Sequence, residues 1–203
     1  MAIVINGSGT ITGVSAGGLP TGSVTADTLA TDSVDSAELI DGAIDAGHLA
    51  SGVGGKIVQV VNVMDGAVGT GTTVTVDDDS IPQNTEGDEY MTLAITPTSA
   101  TNKLKIDVVF WGGSSAAGPM QVALFQDTTA NALAAVTTYE SVGTAKQTTG
   151  FTHYMTAGTT SSTTFKVRAG NSSVGTTTFN GAGTNRKLGD IAASSITITE
   201  IAV

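Results

Sequence analysis

From Ile57 onward the chain alternates apolar and polar residues in short segments, which is the pattern of half-buried β-strands. In the clearest segment, residues 102–111, every second residue from Leu104 to Phe110 is apolar. Turn residues separate it from similar segments at 57–63, 73–76, 91–95, 122–124, 134–142, 150–155, 163–169, 173–179 and 194–201. Short strands at near-regular spacing predict an all-β fold, either an antiparallel β-sandwich or a barrel.

The N-terminal part has a different regularity. Between residues 20 and 50, a large aliphatic residue recurs at every fifth position, with mostly small or polar spacers: Val24, Leu29, Val34, Leu39, Ile44 and Leu49. This period matches neither a strand nor a helix, so a lone element would scatter these side chains around its surface. The repeat predicts an extended stalk of several identical chains with these residues as its core. A low-complexity linker with accidental spacing is the alternative.

The composition divides the chain near Lys56. Residues 1–55 contain no aromatic and no basic residue, and their only charged residues are acidic. A segment without large side chains cannot close a globular core by itself. The predicted organisation is therefore an N-terminal segment at 1–19, the repeat stalk at 20–55 and one sandwich domain at 56–203.

The net charge is −10, from 18 acidic and 8 basic residues. Nucleic-acid binding requires a basic surface, so nucleic acid is not an expected partner. The negative charge also disfavours adhesion to an anionic membrane. The chain has no cysteine, which excludes disulfides and Cys-ligated zinc. Neither an export signal nor a run of about 20 apolar residues is present, so no membrane insertion is expected.

Few residues could carry catalysis. The two histidines, His48 and His153, have no zinc-ligand spacing, and surface or sheet-face positions are expected for both. The serine-hydrolase elbow and the phosphate-binding loop are missing. The sequence therefore predicts no enzyme, no catalytic residue, no metal site and no cofactor.

Two acidic clusters flank Pro82, one from Asp77 to Asp79 and one from Glu86 to Glu89. Together they could offer oxygen ligands to Ca²⁺, but the loop glycine and closing glutamate of an EF-hand are missing. We favour a solvated acidic turn, with a calcium site as the alternative.

Phe110 and Trp111 are neighbours at the end of an alternating strand. Because successive strand residues point to opposite faces, only one of the two can face the core. The other is a candidate for a subunit interface or a ligand site, since interfaces favour exposed aromatic residues. An ordinary core position for Trp111 is equally compatible with the pattern.

Two groups of motifs carry a family resemblance. The opening at residues 3–13, IVINGSGTITG, and the segment GSVTADTLA at 22–30 resemble the N-terminal parts of tailed-bacteriophage fibre and appendage proteins. The segments KIVQV at 56–60, ITPTS at 95–99 and SITITEI at 195–201 resemble the sandwich knobs of such proteins. Some of these knobs are similar to trimeric tumour-necrosis-factor-like jelly rolls. The resemblance implies a homotrimeric virion component with a jelly-roll-like knob and without catalytic residues.

Three functions follow. The preferred one is a short trimeric fibre or spike, in which residues 1–19 dock on other virion proteins and the knob binds a host surface receptor or glycan. The alternative is a capsid decoration, cement or head-fibre protein that stabilises or decorates the shell. A glycan depolymerase is disfavoured, because such enzymes normally contain longer β-helical repeats and this chain is too short for them. The expected location is the virion, and the expected partners include other copies of the chain.

Overall fold

The structure is a computed structural model that describes residue Ile44 and residues 56–143 and 145–203. In this part the chain forms strands and a short 3-10 turn at Leu188–Asp190. The strands are β1 Ile57–Asp65, β2 Gly69–Gly71, β3 Asp88–Ile95, β4 Lys103–Ser114, β5 Gly118–Gln126, β6 Ala134–Glu140, β7 Gln147–Thr156, β8 Thr163–Asn171, β9 Thr177–Phe179, β10 Gly181–Ala182, β11 Asn185–Arg186 and β12 Ser194–Ile201. The all-β prediction is confirmed.

Apart from the short β10–β11 pair, the strands form two antiparallel sheets that face each other across one core. Sheet I has the order β1–β12–β4–β7, and β9 and β2 extend it beside the end of β4. Sheet II has the order β3–β8–β5–β6. The connections from β4 to β5 and from β7 to β8 cross from one sheet to the other. With the four main strands of each sheet in this order, the fold is a jelly roll. This compact unit spans Gly55–Val203.

The core forms because alternate residues of both sheets point inward. On β4 the inward residues are those that the sequence pattern predicted, and they are buried, from Leu104 to Phe110. β12, in the same sheet, adds Ile196 and Ile198, and the opposing sheet contributes residues of β5 and β8: Met120, Val122, Leu124, Phe165 and Val167. Burial of each large aliphatic or aromatic side chain contributes about 2 kcal/mol, so this layer supplies most of the stabilisation.

The two ends of the sandwich differ in what fills them. We call the end where β1 begins at Ile57 the near end, and the end where β1 finishes at Asp65 the far end. At the far end three rings close the core. Tyr90 stacks on Phe179 at 5.2 Å between ring centroids and meets the edge of Phe110 at 5.9 Å.

The prediction of a strand at residues 73–76 is wrong. These residues lie in an extended segment, 72–87, that crosses the outer face of sheet II and that we call the strap. The apolar residues of the pattern, Val74 and Val76, are exposed, whereas Thr75 is buried and donates to the carbonyl of Gly170. Thr75, which the alternation predicted to be exposed, therefore faces the protein, and the two valines that it predicted to be buried face solvent.

Glu200 ties the near end together. Its side chain points inward from β12 and is fully buried. The carboxylate accepts hydrogen bonds from the side-chain amides of Gln59 and Asn102, both at 2.6 Å. It also accepts bonds from the amide and hydroxyl of Thr98, both at 2.8 Å. Burial alone would raise the pKa of Glu200, but these hydrogen bonds outweigh it and lower the pKa to about 2.

We expect Glu200→Ala to lower the free energy of unfolding by about 3 kcal/mol, because several buried donors lose their acceptor. The native pKa of about 2 lies below the ordinary value of 4.5. The carboxylate's contribution is therefore present above pH 4.5 and is lost as the pH falls towards 2. Urea unfolding of the wild type and of Glu200→Gln, above pH 4.5 and again near pH 2, measures this loss.

The matched control is Glu89→Gln, at an exposed carboxylate of β3 that lies 3.4 Å from Lys166. A surface ion pair of this kind contributes little, so the control should unfold close to the wild type. If the difference between wild type and Glu200→Gln were the same at both pH values, the assigned role of the Glu200 carboxylate would be wrong.

Candidate interaction surfaces

The strap covers the middle of the outer face of sheet II. On β5 the outward residues Gln121, Ala123 and Phe125 are as buried as the inward ones, so something other than the core covers them. The strap lies there because Gln121 donates to the carbonyl of Val76 at 2.6 Å. Arg168 donates to the carbonyls of Glu86 at 3.0 Å and Gly87 at 2.6 Å. This face is therefore occupied by the chain itself.

The outer face of sheet I, which we call the bare face, has no such cover among the described residues. From Lys103 to Trp111, no outward residue of β4 is buried, and the same holds for β12. Directly opposed residues make three rows across the strands: Val60–Thr199–Lys105–Tyr154, Asn62–Thr197–Asp107–Thr152 and Met64–Ser195–Val109–Gly150. Small and apolar side chains dominate the last row.

Several apolar side chains of the bare face are exposed to solvent. Met64 is 72% exposed, Tyr154 59% and Val60 53%. Val109 is 39% exposed and lies at the centre of the face on β4, opposite Gly150, which has no side chain to cover it. An antiparallel sheet face turned to solvent usually carries polar residues, so exposed apolar residues in these rows make the bare face a candidate contact surface.

The charges of the bare face nearly cancel. Lys105 and Asp107 form an ion pair at 2.6 Å, and Thr152 donates to the second oxygen of Asp107 at 2.6 Å. Burial opposes ionisation of Asp107, but the hydrogen bonds from Lys105 and Thr152 outweigh it and hold its pKa below the usual range. Hydrogen bonding to Asp107 likewise raises the pKa of Lys105. The face thus presents a fixed pair rather than isolated carboxylates.

The structure separates the aromatic pair of the sequence analysis. Phe110 is fully buried and packs against Tyr90 and Phe179, so its side chain belongs to the core and not to a surface site. Alternation then turns Trp111 outward, onto the bare face beside Thr148 of β7. An interface or ligand role for Trp111 stays a prediction.

The other predicted residues have mixed outcomes. Among the stalk positions the structure describes Ile44, whose side chain is 46% exposed. The remaining ones lie outside the described residues, as does His48: Val24, Leu29, Val34, Leu39 and Leu49. His153 lies on β7 opposite Ile106, and partial burial lowers its pKa.

Most of the acidic residues that flank Pro82 lie in the strap, and two of them accept hydrogen bonds within it. Asp78 accepts hydrogen bonds from the amide and hydroxyl of Ser80, and Glu86 accepts from the amide of Val76 at 2.9 Å. Within the described part of the chain, no group of three or more His, Asp or Glu side chains could hold a metal ion. No helix among the described residues is long and apolar enough to cross a membrane.

Four loops meet at the far end, at residues 115–117, 141–146, 172–176 and 180–193, and we call them the far-end loops. The amide of Ser115 donates to the carbonyl of Thr176 at 2.9 Å, and the amide of Thr176 donates to the hydroxyl of Ser115 at 2.8 Å. Gly143 lies so close to the carbonyl of Ser115 that a Cβ there would overlap it. These contacts join three of the loops.

Asn180 fixes the fourth loop to three strands of sheet I, β1, β4 and β12. Its φ is +53°, a left-handed conformation that Asn tolerates better than most residues. The side-chain amide donates to the carbonyls of Asp65 at 2.6 Å and Ala67 at 3.0 Å. Its oxygen accepts from the amide and the hydroxyl of Ser194, and its backbone amide donates to Trp111. Sequence reasoning missed this buried asparagine, because an Asn in a glycine-rich stretch is typical of any turn.

A second buried carboxylate lies beneath the far-end loops. Glu140, the last residue of β6, is fully buried, and one of its oxygens accepts the amide of Ser114 at 2.9 Å. Its other oxygen has no hydrogen-bond partner among the described residues. Burial therefore raises the pKa of Glu140, and the bond from Ser114 offsets this only in part.

Comparison with known proteins gives structural matches alone. No family model matches the chain, and no curated protein matches its sequence. A CBM4 carbohydrate-binding module matches with 13% identity and a TM-score of 0.34, over 62% of this chain and 77% of its own. VP2 of the infectious bursal disease virus subviral particle matches with 12% identity and a TM-score of 0.33, over 71% of this chain and 38% of its own.

A third match is the enzymatically active domain of tailspike protein 4 of bacteriophage CBA120. It has 16% identity and a TM-score of 0.26, over 61% of this chain and 19% of its own. All three neighbours are β-rich, which agrees with a β-sandwich but does not single out a phage fibre. At these TM-scores the likeness does not bear on function, which has to be argued from the chain's own residues.

We expect Glu140→Gln to stabilise the protein at neutral pH. A raised native pKa means that the folded state holds the proton more tightly than the unfolded state does. Stability is therefore lost as the pH rises above the ordinary value of 4.5 and through the native pKa. Thermal unfolding should show a higher Tm for the variant at pH 7, with the gap closing as the pH falls towards 4.5. A variant less stable than the wild type at every pH would contradict this assignment.

Proposed function

We propose that the chain is a non-enzymatic structural protein of a bacteriophage virion that works as a homotrimer. In this proposal residues 1–19 attach to other virion proteins, residues 20–55 form a three-chain stalk, and the jelly roll is an exposed knob that binds the host surface. The knob trimer forms through the bare face. The observation that carries the proposal is that one outer face of the sandwich is covered by the chain's own strap, whereas the other is left open with apolar residues exposed.

Charge supports self-association through the bare face. The chain carries a net charge of −10, so most pairs of surfaces on two copies would repel each other. On the bare face Asp107 is the one acidic residue in the three rows, and it is paired with Lys105. Copies that meet through this face bring together threonines, serines and aliphatic side chains. They keep the acidic strap, with Asp77 to Asp79, away from the contact.

The stalk repeat supports the same assembly. Its aliphatic residues at every fifth position have no large neighbours within their own segment, so burying them requires other copies of the chain. The resemblance of residues 3–13 and 22–30 to fibre and appendage proteins supports placing this assembly on a virion.

Val109→Asp tests the trimer interface. Val109 is 39% exposed in one chain, so a carboxylate there should not unfold the sandwich. In a trimer joined through the bare face, the same carboxylates would be desolvated without partners, at a cost of several kcal/mol each. Because the proposed stalk also joins three chains, the test uses residues 56–203, which form a compact unit by themselves. Sedimentation velocity of this fragment should show a trimer for the wild-type sequence and a monomer for Val109→Asp, with unchanged circular dichroism.

The matched control is Val76→Asp, the same substitution at a valine of the strap that is 49% exposed. This variant should stay trimeric. The wild-type fragment should be trimeric without the stalk, because the bare face lies within it. A Val109→Asp protein that remains a trimer would show that copies meet elsewhere, and a monomeric wild type would overturn the assembly.

Immunogold electron microscopy of intact virions tests the location, with an antibody against residues 56–203. Label at the tail is expected for a fibre or spike. Label distributed over the capsid would instead indicate a decoration or head-fibre protein built from the same trimer. Absence of label from the particle would contradict a virion role altogether.

A further inference from the structure

We propose that the far-end loops form a docking surface for an anionic lipid leaflet. The inference rests on the proposed host-binding role of the knob and names the surface and the chemistry of its partner. It concerns shallow contact by loop side chains rather than insertion of a segment through a membrane.

Aliphatic side chains protrude from the far-end loops. Val174 is 90% exposed, Ile191 88%, Leu188 69% and Val142 58%. They come from three different loops, and the contacts of Ser115 with Thr176 and Gly143 bring the loops that carry Val142 and Val174 together. By contrast, no large hydrophobic residue is exposed in the near-end loops 96–102, 127–133 and 157–162. Exposed aliphatic residues at the near end lie instead on the first strand, in the strap and near the C-terminus, at Ile57, Ile81 and Val203.

Backbone strain supports a role in binding rather than in folding. Leu188 has a φ of +55° and Thr184 a φ of +82°, a left-handed conformation that is strained at residues other than glycine. At Leu188 this strained conformation leaves a large aliphatic side chain in water, and it gains no core contact in return. The neighbouring Gly189, at φ +60°, shows what residue type suits such a position. A strained and exposed leucine is explained if its side chain is needed by a partner.

The local charge reverses that of the whole chain. The far-end loops contain three basic residues, Lys146, Arg186 and Lys187, against one acidic residue, Asp190. Their formal charge is therefore +2 (three minus one), within a chain of net charge −10. The acidity of the whole chain argued against contact with an anionic surface, but these loops themselves carry a net positive charge. Asp65 and Asp88 lie at the same end, at the ends of β1 and β3, where their carboxylates accept hydrogen bonds from Ala67 and Thr73. Lysine and arginine near an anionic leaflet favour binding to it.

The way the side chains protrude favours lipid over a protein partner. Side chains as exposed as Val174 and Ile191 stand singly on separate loops and do not make one flat apolar patch. A protein partner would need a matching pocket for each, whereas acyl chains and headgroups close around any of them. The hydrogen bonds that join the loops mean that little ordering is needed on binding.

The experiment is sedimentation of the full-chain protein with two kinds of vesicle. One contains phosphatidylcholine alone, and the other contains phosphatidylcholine with an equal amount of phosphatidylglycerol. We expect binding to the mixed vesicles and much weaker binding to phosphatidylcholine. Ile191→Ser and Leu188→Gly should each lower the partition coefficient about tenfold. Lys187→Gln should lower it about fivefold on the mixed vesicles and leave it unchanged on phosphatidylcholine.

Leu188→Gly separates binding from folding, because glycine adopts a φ of +55° without strain. This variant should be at least as stable as the wild type and yet bind less. Ile81→Ser is the matched control for Ile191→Ser, since Ile81 is 55% exposed on the strap, and it should bind like the wild type.

Two outcomes would overturn the proposal. If the wild type binds neither vesicle, the lipid assignment is wrong, and the protruding residues would have to meet a protein instead. If the wild type binds but Leu188→Gly and Ile191→Ser bind equally well, the far-end loops are not the contact surface. Neither outcome changes the sedimentation of the trimer or its label on the virion, so failure here is distinct from failure of the proposed function.

Discussion

The packing of alternate residues between the two sheets is the constraint on which the rest of the structure depends. Once Leu104, Ile106, Val108 and Phe110 are buried, the residues between them must point outward. The bare face is therefore fixed by the core, and Trp111 points outward because Phe110 points inward. A shift of β4 by one residue would exchange the two sets, which is why the surface proposed for assembly cannot move without loss of the core.

Much of the fold could be predicted from periodicity, and the exceptions have a common cause. Segments that pair with neighbours on both sides, such as β4 and β12, show the expected alternation. The strap shows the same alternation, yet it lies on an outer face, where Thr75 is held by a hydrogen bond to Gly170. Sequence pattern records which residues alternate but not which side of the segment meets the protein. The short strands β2, β10 and β11 carry too few residues to show a period.

The candidate surfaces were harder to predict than the strands. The choice between Phe110 and Trp111 depends on which one falls in register with the rest of β4, and the apolar alternation through Phe110 already indicated it. The far-end loops gave no such signal. Val142, Val174 and Ile191 are far apart in sequence. They lie at the same end of the sandwich because of the way the chain crosses between the two sheets. The same is true of Glu200, whose partners lie about a hundred or more residues away along the chain.

The two buried carboxylates show how differently the ends of the sandwich are built. At the near end Glu200 is surrounded by donors, and its negative charge is stabilised by them. At the far end Glu140 has one donor, and its charge is disfavoured. Beneath the far-end loops, a carboxyl that prefers its proton contributes most to stability when it is protonated, whereas Glu200 contributes most when it is ionised, so a fall in pH acts on the two ends in opposite senses.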